Sequence, residues 1–185
     1  MPPTQILIIR HGEKPPPAGR PNGIKEDGSE DHHSLVVRGW QRAGALAPYF
    51  CTPMHPGFGR PTVVFSPPME GKDGDHGRPY QTVRPVCERL GLKTVVDHVL
   101  DEEEALVDDV RSRSGVVLIA WEHKRIATIA NRILGDQTTA PQTWPDDRFD
   151  VVYVFDLDPA TGTYRFSQVP QLLLGGDRPD VIPLG

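Results

Sequence analysis

The feature that most constrains the fold of this chain is a short apolar run that ends abruptly in charge. Residues 5–15 are QILIIRHGEKP, in which Ile and Leu lead directly into Arg10, His11 and Gly12. A short apolar run bounded by a turn signal is typical of a buried parallel strand. Either the charges simply end this strand, or the strand presents Arg10 and His11 to a ligand. The rest of the chain has to decide between these interpretations.

Strand-like and helix-like segments alternate along the chain, and this pattern predicts an α/β fold with a mainly parallel sheet and helices on both faces. GVVLIAW is the most continuous apolar run and indicates a central strand. The last two apolar segments flank a turn and predict a closing hairpin. The predicted strands are 6–9, 62–65, 94–100, 115–121, 150–157 and 163–169. The first predicted helix follows a cap at Ser34, and the second begins at Arg78. The third and fourth are predicted over 103–112 and 124–134.

Composition and length indicate one domain over residues 1–185, because 37% hydrophobic content is enough for a core. A net charge of −5 argues against a basic face for nucleic acid. No apolar run approaches the ~20 residues of a membrane span, and no signal-type segment begins the chain. We therefore expect a cytoplasmic protein with neither a membrane nor a nucleic acid as partner. Cys51 and Cys87 lack the spacing of a metal site and are predicted to be reduced structural thiols. The sequence carries no signal of oligomeric state.

Polar residues follow several predicted strands where those strands end. Arg10 and His11 follow the first, His123 follows the central one, and Ser66 ends the second. Arg78 then begins a helix, and a helix N-terminus favours anions. Ligands of such sheets bind beyond the carboxyl ends of the strands. Guanidinium groups bind phosphoryl oxygens as a fork, one neutral imidazole can attack phosphorus, and a second can donate to the oxygens. The sequence therefore predicts a pocket for a phosphate dianion.

Four segments resemble, in order, motifs of the histidine phosphatase superfamily, also called the phosphoglycerate mutase-like family. They are LIIRHGEKP, SLVVRGWQRAGAL, VVFSPP with RPYQTVRPVCERLGL, and VVLIAWEHKRIATIANRILG, and they cover roughly residues 5–135. The resemblance implies a three-layer α/β sandwich in which His11 becomes phosphohistidine. It also implies that Arg10 and Arg78 clamp the phosphate and that His123 contacts the phosphoryl group and stabilises the transition state. It implies no metal and no cofactor.

The family's acid is usually a glutamate between the second arginine and the second histidine. In this interval the segment LDEEEALVDDV offers Glu102, Glu103 and Glu104. In a helix, Glu103 shares an inward face with apolar residues three, four and seven positions later, so we predict Glu103 as the catalytic acid. Glu122, beside His123, is the rival. The apolar residues of that helix face are Leu106, Val107 and Val110.

Two further assignments follow from the neighbourhood of these motifs. The loop between Ser66 and Arg78 is longer than is usual in the family, and Arg84 is a competing second arginine. Arg78 is preferred because the Gln-Thr pair downstream of it keeps the family's spacing. Glu13 and Lys14 follow the predicted nucleophile after Gly12, and they either line the substrate mouth or form a solvated pair.

The remaining histidines and aromatics receive simpler interpretations. The Asp-His-His run at 31–33 could hold a metal ion, but a solvated surface loop is the preferred interpretation, so no metal site is predicted. His55 and His98 are expected on the surface, and His76 is a candidate substrate contact because it precedes Arg78. Trp144 is expected to pack in the core.

The resemblance implies hydrolysis of a phosphomonoester through phosphohistidine by a metal-independent phosphatase acting on a small-molecule or protein phosphate. Three alternatives stay open. They are phosphoryl transfer of the phosphoglycerate mutase type, a protein phosphohistidine phosphatase, and a phospho-ligand binding module without turnover. The glycine-containing stretch that follows the second arginine in the full-size mutases has no counterpart here. The loops at 15–33 and 66–77, which should set substrate specificity, carry no recognisable motif.

Overall fold

A computed structural model describes residues 1–52, 57–69 and 77–184. His55 and His76 lie outside these ranges, so the interpretations given for them above stay predictions. The strands are β1 Gln5–Arg10, β2 Val63–Phe65, β3 Thr94–Val95, β4 Val116–Trp121, β5 Val151–Leu157 and β6 Tyr164–Pro170. The helices are α1 Val37–Cys51, α2 Gly77–Leu90, α3 Glu103–Ser112 and α4 His123–Leu134.

The strands form a six-stranded sheet in the order β3-β2-β4-β1-β5-β6. The first four strands of that order pair in parallel, and β5 pairs antiparallel with both β1 and β6. In the register of β1 and β4, Arg10 lies opposite Trp121. The segments that follow these two strands therefore leave the sheet side by side. The predicted mixed α/β architecture and the closing hairpin are confirmed.

Two apolar clusters, one on each face of the sheet, form the core. Side chains alternate between the faces of a strand, so Ile6 and Ile8 of β1 face one way and Leu7 and Ile9 the other. The first cluster includes residues of α3 and α4, and the second includes residues of α1 and α2. This arrangement is the predicted three-layer sandwich. Trp144 belongs to the first cluster, as expected.

Two local expectations were wrong. Helix α1 begins at Val37 and no side chain caps it. The hydroxyl of Ser34 instead donates to Asp31 over 2.6 Å. The turn before α1 is held by the Val36 N–H, which donates to the carbonyl of Glu13 over 3.1 Å. The third strand is shorter than predicted, because β3 is an edge strand of two residues that pairs only with β2.

Within the described ranges, no helix is both long enough and apolar enough to cross a bilayer. Cys51 and Cys87 are both free thiols.

Candidate active site

His11 lies just beyond the end of β1 and is buried. Its backbone N–H donates to the carbonyl of Trp121 over 3.2 Å, so the residue stays in register with β4. Its Nδ1 lies 2.7 Å from the carbonyl of Gly12. A carbonyl can only accept, so Nδ1 carries the proton of the neutral ring and Nε2 keeps a free lone pair. Burial, followed by the charge of Arg10, lowers the pKa of His11 well below its ordinary 6.5.

A close approach between backbones positions the loop that follows His11. A Cβ added to Gly12 would lie 3.0 Å from the carbonyl oxygen of Gly39, and one added to Gly39 would lie 2.5 Å from that of Glu13. The glycine pair therefore lets this loop pack directly against helix α1.

The side chain of Arg10 is fully buried and partly committed to backbone. Its Nη1 donates to the carbonyls of Pro145, Asp146 and Arg148 at 3.1, 2.8 and 2.9 Å. Its guanidinium carbon lies 3.8 Å from the ring centre of Phe149. Burial lowers the pKa of Arg10 to about 10, so the group is still a cation near neutral pH. Among the residues described, Nε and Nη2 of Arg10 have no hydrogen-bond partner.

His123 begins helix α4 and is also buried. Its ring lies edge-on to that of His11, with 6.4 Å between centroids and 83° between planes. Nδ1 lies 2.6 Å from Oε1 of Glu122, and Nε2 lies 2.6 Å from Oδ1 of Asp146. Two carboxylates therefore flank the second histidine of the site.

Arg78 lies in the first turn of α2 and donates from Nη2 to the carbonyl of His32 over 3.1 Å. Its Nε is buried and has no partner in the described part of the chain. Burial lowers the pKa of Arg78. The charge of Arg78 in turn contributes to lowering the pKa of His11. The competing Arg84 instead bonds to carboxylates of Glu26 and Glu88 at the surface.

The structure does not bring Glu103 to the histidines through any described hydrogen bond or ion pair. Glu103 is buried, as predicted from its helix face. However, its Oε1 accepts from Nε1 of Trp121 at 3.0 Å and from the N–H of Asp101 at 3.2 Å. Glu122 contacts His123 directly, and its charge acts on both Arg10 and Arg78. The rival glutamate therefore has the contacts that Glu103 was expected to make.

Glu13 and Lys14, the two candidates for the substrate mouth, lie in different surroundings. The carboxylate of Glu13 accepts from the guanidinium groups of Arg38 and Arg42, with a shortest distance of 2.8 Å. It is thus engaged in an ion-pair network rather than left available to substrate. Lys14 is half-buried, and its pKa is lowered by burial and then by Arg10 and Arg78. Lys14 therefore lies in the electrostatic field of the predicted clamp.

Asp146 is a residue of this arrangement that the sequence did not predict. It lies in the loop before β5, and β5 runs antiparallel to β1. Because of this direction, the beginning of β5 lies at the same edge of the sheet as the ends of β1 and β4. The two consecutive aspartates in the segment TWPDDRFD, placed before the predicted hairpin, were the signal that could have found it.

The 31–33 run has a structural role. Asp31 accepts from the hydroxyl of Ser34 at 2.6 Å and from the N–H of His33 at 3.3 Å. The carbonyl of His32 accepts from Arg78. Within the described ranges, no cluster of three histidine, cysteine or acidic side chains is arranged to hold a metal ion.

Solved structures of phosphatases share this fold, so the fold that the sequence resemblance implies is confirmed. No protein-family model and no curated protein matches this chain. Solved structures do match it, at low sequence identity.

The Agrobacterium tumefaciens protein assigned as phosphohistidine phosphatase SixA matches with a TM-score of 0.54 and 16% identity, over 89% of this chain and 96% of that one. A mycobacterial glucosyl-3-phosphoglycerate phosphatase, solved with VO3, matches with a TM-score of 0.52 and 14% identity, over 89% and 97%. A phosphoserine phosphatase mutant of Entamoeba histolytica, solved with phosphoserine, matches with a TM-score of 0.52 and 11% identity, over 88% and 94%. All three are phosphatases, and the likeness of this chain to them lies in the fold.

Proposed function

We propose that this protein hydrolyses phosphomonoesters through a phosphohistidine formed on His11. The observation that carries the proposal is a set of buried cationic donors left without partners beside a neutral histidine. Nε and Nη2 of Arg10 and Nε of Arg78 have no hydrogen-bond partner among the described residues. Buried guanidinium nitrogens are costly to leave unpaired. A phosphoryl dianion would satisfy all of them.

The first chemical step uses the free lone pair of His11. Nε2 attacks phosphorus, the new N–P bond forms, and the P–O bond to the leaving alcohol breaks. The leaving oxygen takes a proton from the protonated carboxyl group of Glu122 as it departs. The guanidinium groups of Arg10 and Arg78 and the ring of His123 stabilise the charge on the phosphoryl oxygens. Because the pKa of His11 is lowered, the ring is neutral and ready to attack at neutral pH.

The second step returns the enzyme to its starting state. Water attacks the phosphohistidine, the N–P bond breaks, and the electron pair returns to Nε2 of His11. The water gives a proton to the carboxylate of Glu122, and inorganic phosphate leaves. This proposed route needs no metal ion, because arginines supply the charge that magnesium supplies in other phosphoryl transfer enzymes.

The names of the similar structures support a phosphatase and leave the substrate open. The phosphatase of SixA type, the glucosyl-3-phosphoglycerate phosphatase and the phosphoserine phosphatase have different substrates by name. A panel that includes sugar phosphates, phosphoserine and a phosphohistidine protein would therefore rank the substrate classes for this chain.

Covalent labelling tests the proposal directly. Protein mixed with a ³²P-labelled phosphomonoester and quenched in alkali should carry label that is lost in acid. His11→Ala should carry none, whereas His98→Ala, which changes a histidine paired with Asp109, should label normally. Label that persists in His11→Ala would refute the assignment of the nucleophile.

A further inference from the structure

Asp146 is an exposed carboxylate whose end reaches a buried histidine. The side chain of Asp146 is 82% exposed, whereas that of His123 is 2% exposed, and Oδ1 lies 2.6 Å from Nε2. The acidic group therefore comes from the solvent side of the site.

The backbone and the side chain of Asp146 have different freedom. Its carbonyl accepts from Nη1 of Arg10 at 2.8 Å, beside the carbonyls of Pro145 and Arg148. These bonds fix the position of the Asp146 backbone. The exposed side chain can still rotate about its own bonds into solvent without breaking them.

The Asp146 carboxylate lies in the field of the cations that a phosphoryl group would need. Its pKa is lowered first by its hydrogen bond to His123 and by the charge of that residue, and then by Lys14 and Arg10. An anion that entered beside Arg10 would be repelled by a carboxylate in this place. It would also compete with that carboxylate for His123.

We propose that Asp146 is an internal competitor for the phosphate site, bound to His123 in the free protein and displaced when a phosphoryl group enters. The inference rests on the proposed function of this site. Displacement sets the affinity for anions, and return of the carboxylate to His123 helps to expel inorganic phosphate after hydrolysis.

The exposure of Asp146 separates this role from that of a carboxylate that orients a catalytic histidine. An orienting carboxylate is buried and held by further hydrogen bonds, as in the serine protease triad. The carboxylate of Asp146 has His123 as its one hydrogen-bond partner among the described residues. A side chain held by this single hydrogen bond can move away from His123 when another anion takes its place.

Calorimetric titration with inorganic phosphate tests the inference without requiring turnover. In Asp146→Asn the side chain keeps its size and loses its charge, so phosphate should bind about three- to tenfold tighter. Asp147→Asn is the matched control, because Asp147 is 71% exposed, pairs with Arg178 and loses the same charge one position away. Its effect should be clearly smaller. In steady-state kinetics, Asp146→Asn should show stronger product inhibition by phosphate.

Each outcome has a definite meaning. Phosphate binding that is unchanged or weaker in Asp146→Asn would overturn the inference and would favour an orienting role, above all if kcat also fell. An equal gain in both variants would reduce the effect to net charge and would also overturn it. Tighter binding in Asp146→Asn alone, in a protein that hydrolyses no phosphomonoester, would support the competitor and refute the proposed function. Absence of phosphate binding in the wild type would overturn both.

Discussion

The backbone N–H of Gly12 donates to Oγ1 of Thr82 over 2.8 Å, and this bond joins the loop of the proposed nucleophile to helix α2. The same hydroxyl donates to the carbonyl of Arg78 over 2.7 Å. One buried hydroxyl thus accepts from the segment that carries His11 and donates to the backbone of Arg78, whose guanidinium belongs to the proposed clamp. Only a side chain that is both donor and acceptor can make this connection.

Thr82→Val should therefore affect stability and activity together. Valine keeps the shape but leaves the buried N–H of Gly12 unpaired, which costs about 1–3 kcal/mol. We expect that loss in the free energy of urea unfolding, together with a lower kcat/KM. Thr82→Ser keeps the hydroxyl and is the control, which should lie close to the wild type in both measurements. Equal stability of the Val and Ser variants would contradict the prediction.

The proton for the leaving group should come from Glu122 rather than from Glu103. Glu122→Gln should slow hydrolysis of alkyl phosphates by about 10²–10⁴-fold, the usual contribution of a positioned acid. The same change should slow p-nitrophenyl phosphate only slightly, because nitrophenolate leaves without a proton. Glutamine can still accept from the N–H of Lys124, which the Glu122 side chain caps.

Two observations bear on this acid. Burial acts to raise the pKa of Glu122, but the closeness of His123 outweighs it, and the pKa is lowered in the free protein. A bound phosphoryl dianion next to it would raise that pKa and favour the protonated form. Glu103→Gln is the comparison and should leave the alkyl phosphate rate nearly intact. If the two variants exchange these behaviours, Glu103 is the acid.

The ionisation of His11 gives a prediction for pH. Its folded pKa lies well below 6.5, so the unfolded chain binds a proton that the folded chain refuses. The contribution of the neutral ring to the free energy of unfolding is therefore complete above about pH 6.5. It is lost as the pH falls from there toward the folded pKa. Nitrogen-15 NMR should show the His11 ring neutral at pH 6. His11→Ala should reduce the fall in unfolding free energy between pH 6.5 and 5. A ring of His11 that titrates at 6.5 or above would contradict this.

The ion pair of Arg42 with Asp177 should matter far more than that of Arg38 with the same carboxylate. The side chains of Arg42 and Asp177 are both 2% exposed, and Nη2 lies 2.7 Å from Oδ1, whereas Arg38 is 44% exposed and 3.5 Å away. Arg42→Met removes the buried cation from between the carboxylates of Glu13 and Asp177 and should cost about 3–5 kcal/mol of unfolding free energy. Arg38→Met should cost about 1 kcal/mol or less. Similar losses in chemical denaturation would show that burial does not decide the strength of these pairs.

Activity should survive a strong chelator. In the proposed mechanism the clamp is made of guanidinium groups, and in the described ranges no cluster of three potential metal ligands is present. Hydrolysis of p-nitrophenyl phosphate after dialysis against EDTA should equal that of the untreated protein. If EDTA abolished activity and one divalent ion restored it, this prediction would be wrong and a metal site at residues 31–33 would be supported.

The sequence was most informative where position along a strand determines position in space. Arg10 and His11 lie at the end of β1, and His123 follows β4, which pairs with β1 in parallel. That these residues lie at one edge of the sheet could therefore be predicted. Asp146 was missed because it precedes a strand, and only the antiparallel direction of β5 brings it to that edge. Strand direction depends on pairing between distant segments, which no local pattern shows.

Polar partners were harder to predict than burial. Helix periodicity indicated correctly that Glu103 faces inward, but it could not indicate that Trp121 would take its carboxylate. Glu13 follows the nucleophile in sequence, but its charge is taken up by Arg42 on α1. A buried charge goes to whichever opposite charge the tertiary fold places nearest, and this is fixed only when the layers pack.

The anchoring of Arg10 has a consequence for the order in which the protein matures on the ribosome. Arg10 is among the first residues made, but the carbonyls that hold its Nη1 belong to residues 145–148. Arg42 likewise depends on Asp177, and Arg148 depends on Asp180. A nascent chain can begin to fold once β1 to α4 have emerged from the ribosome, since folding starts during synthesis. It lacks the orientation of its first arginine until the last quarter has emerged, so the nascent intermediate should have an inactive site.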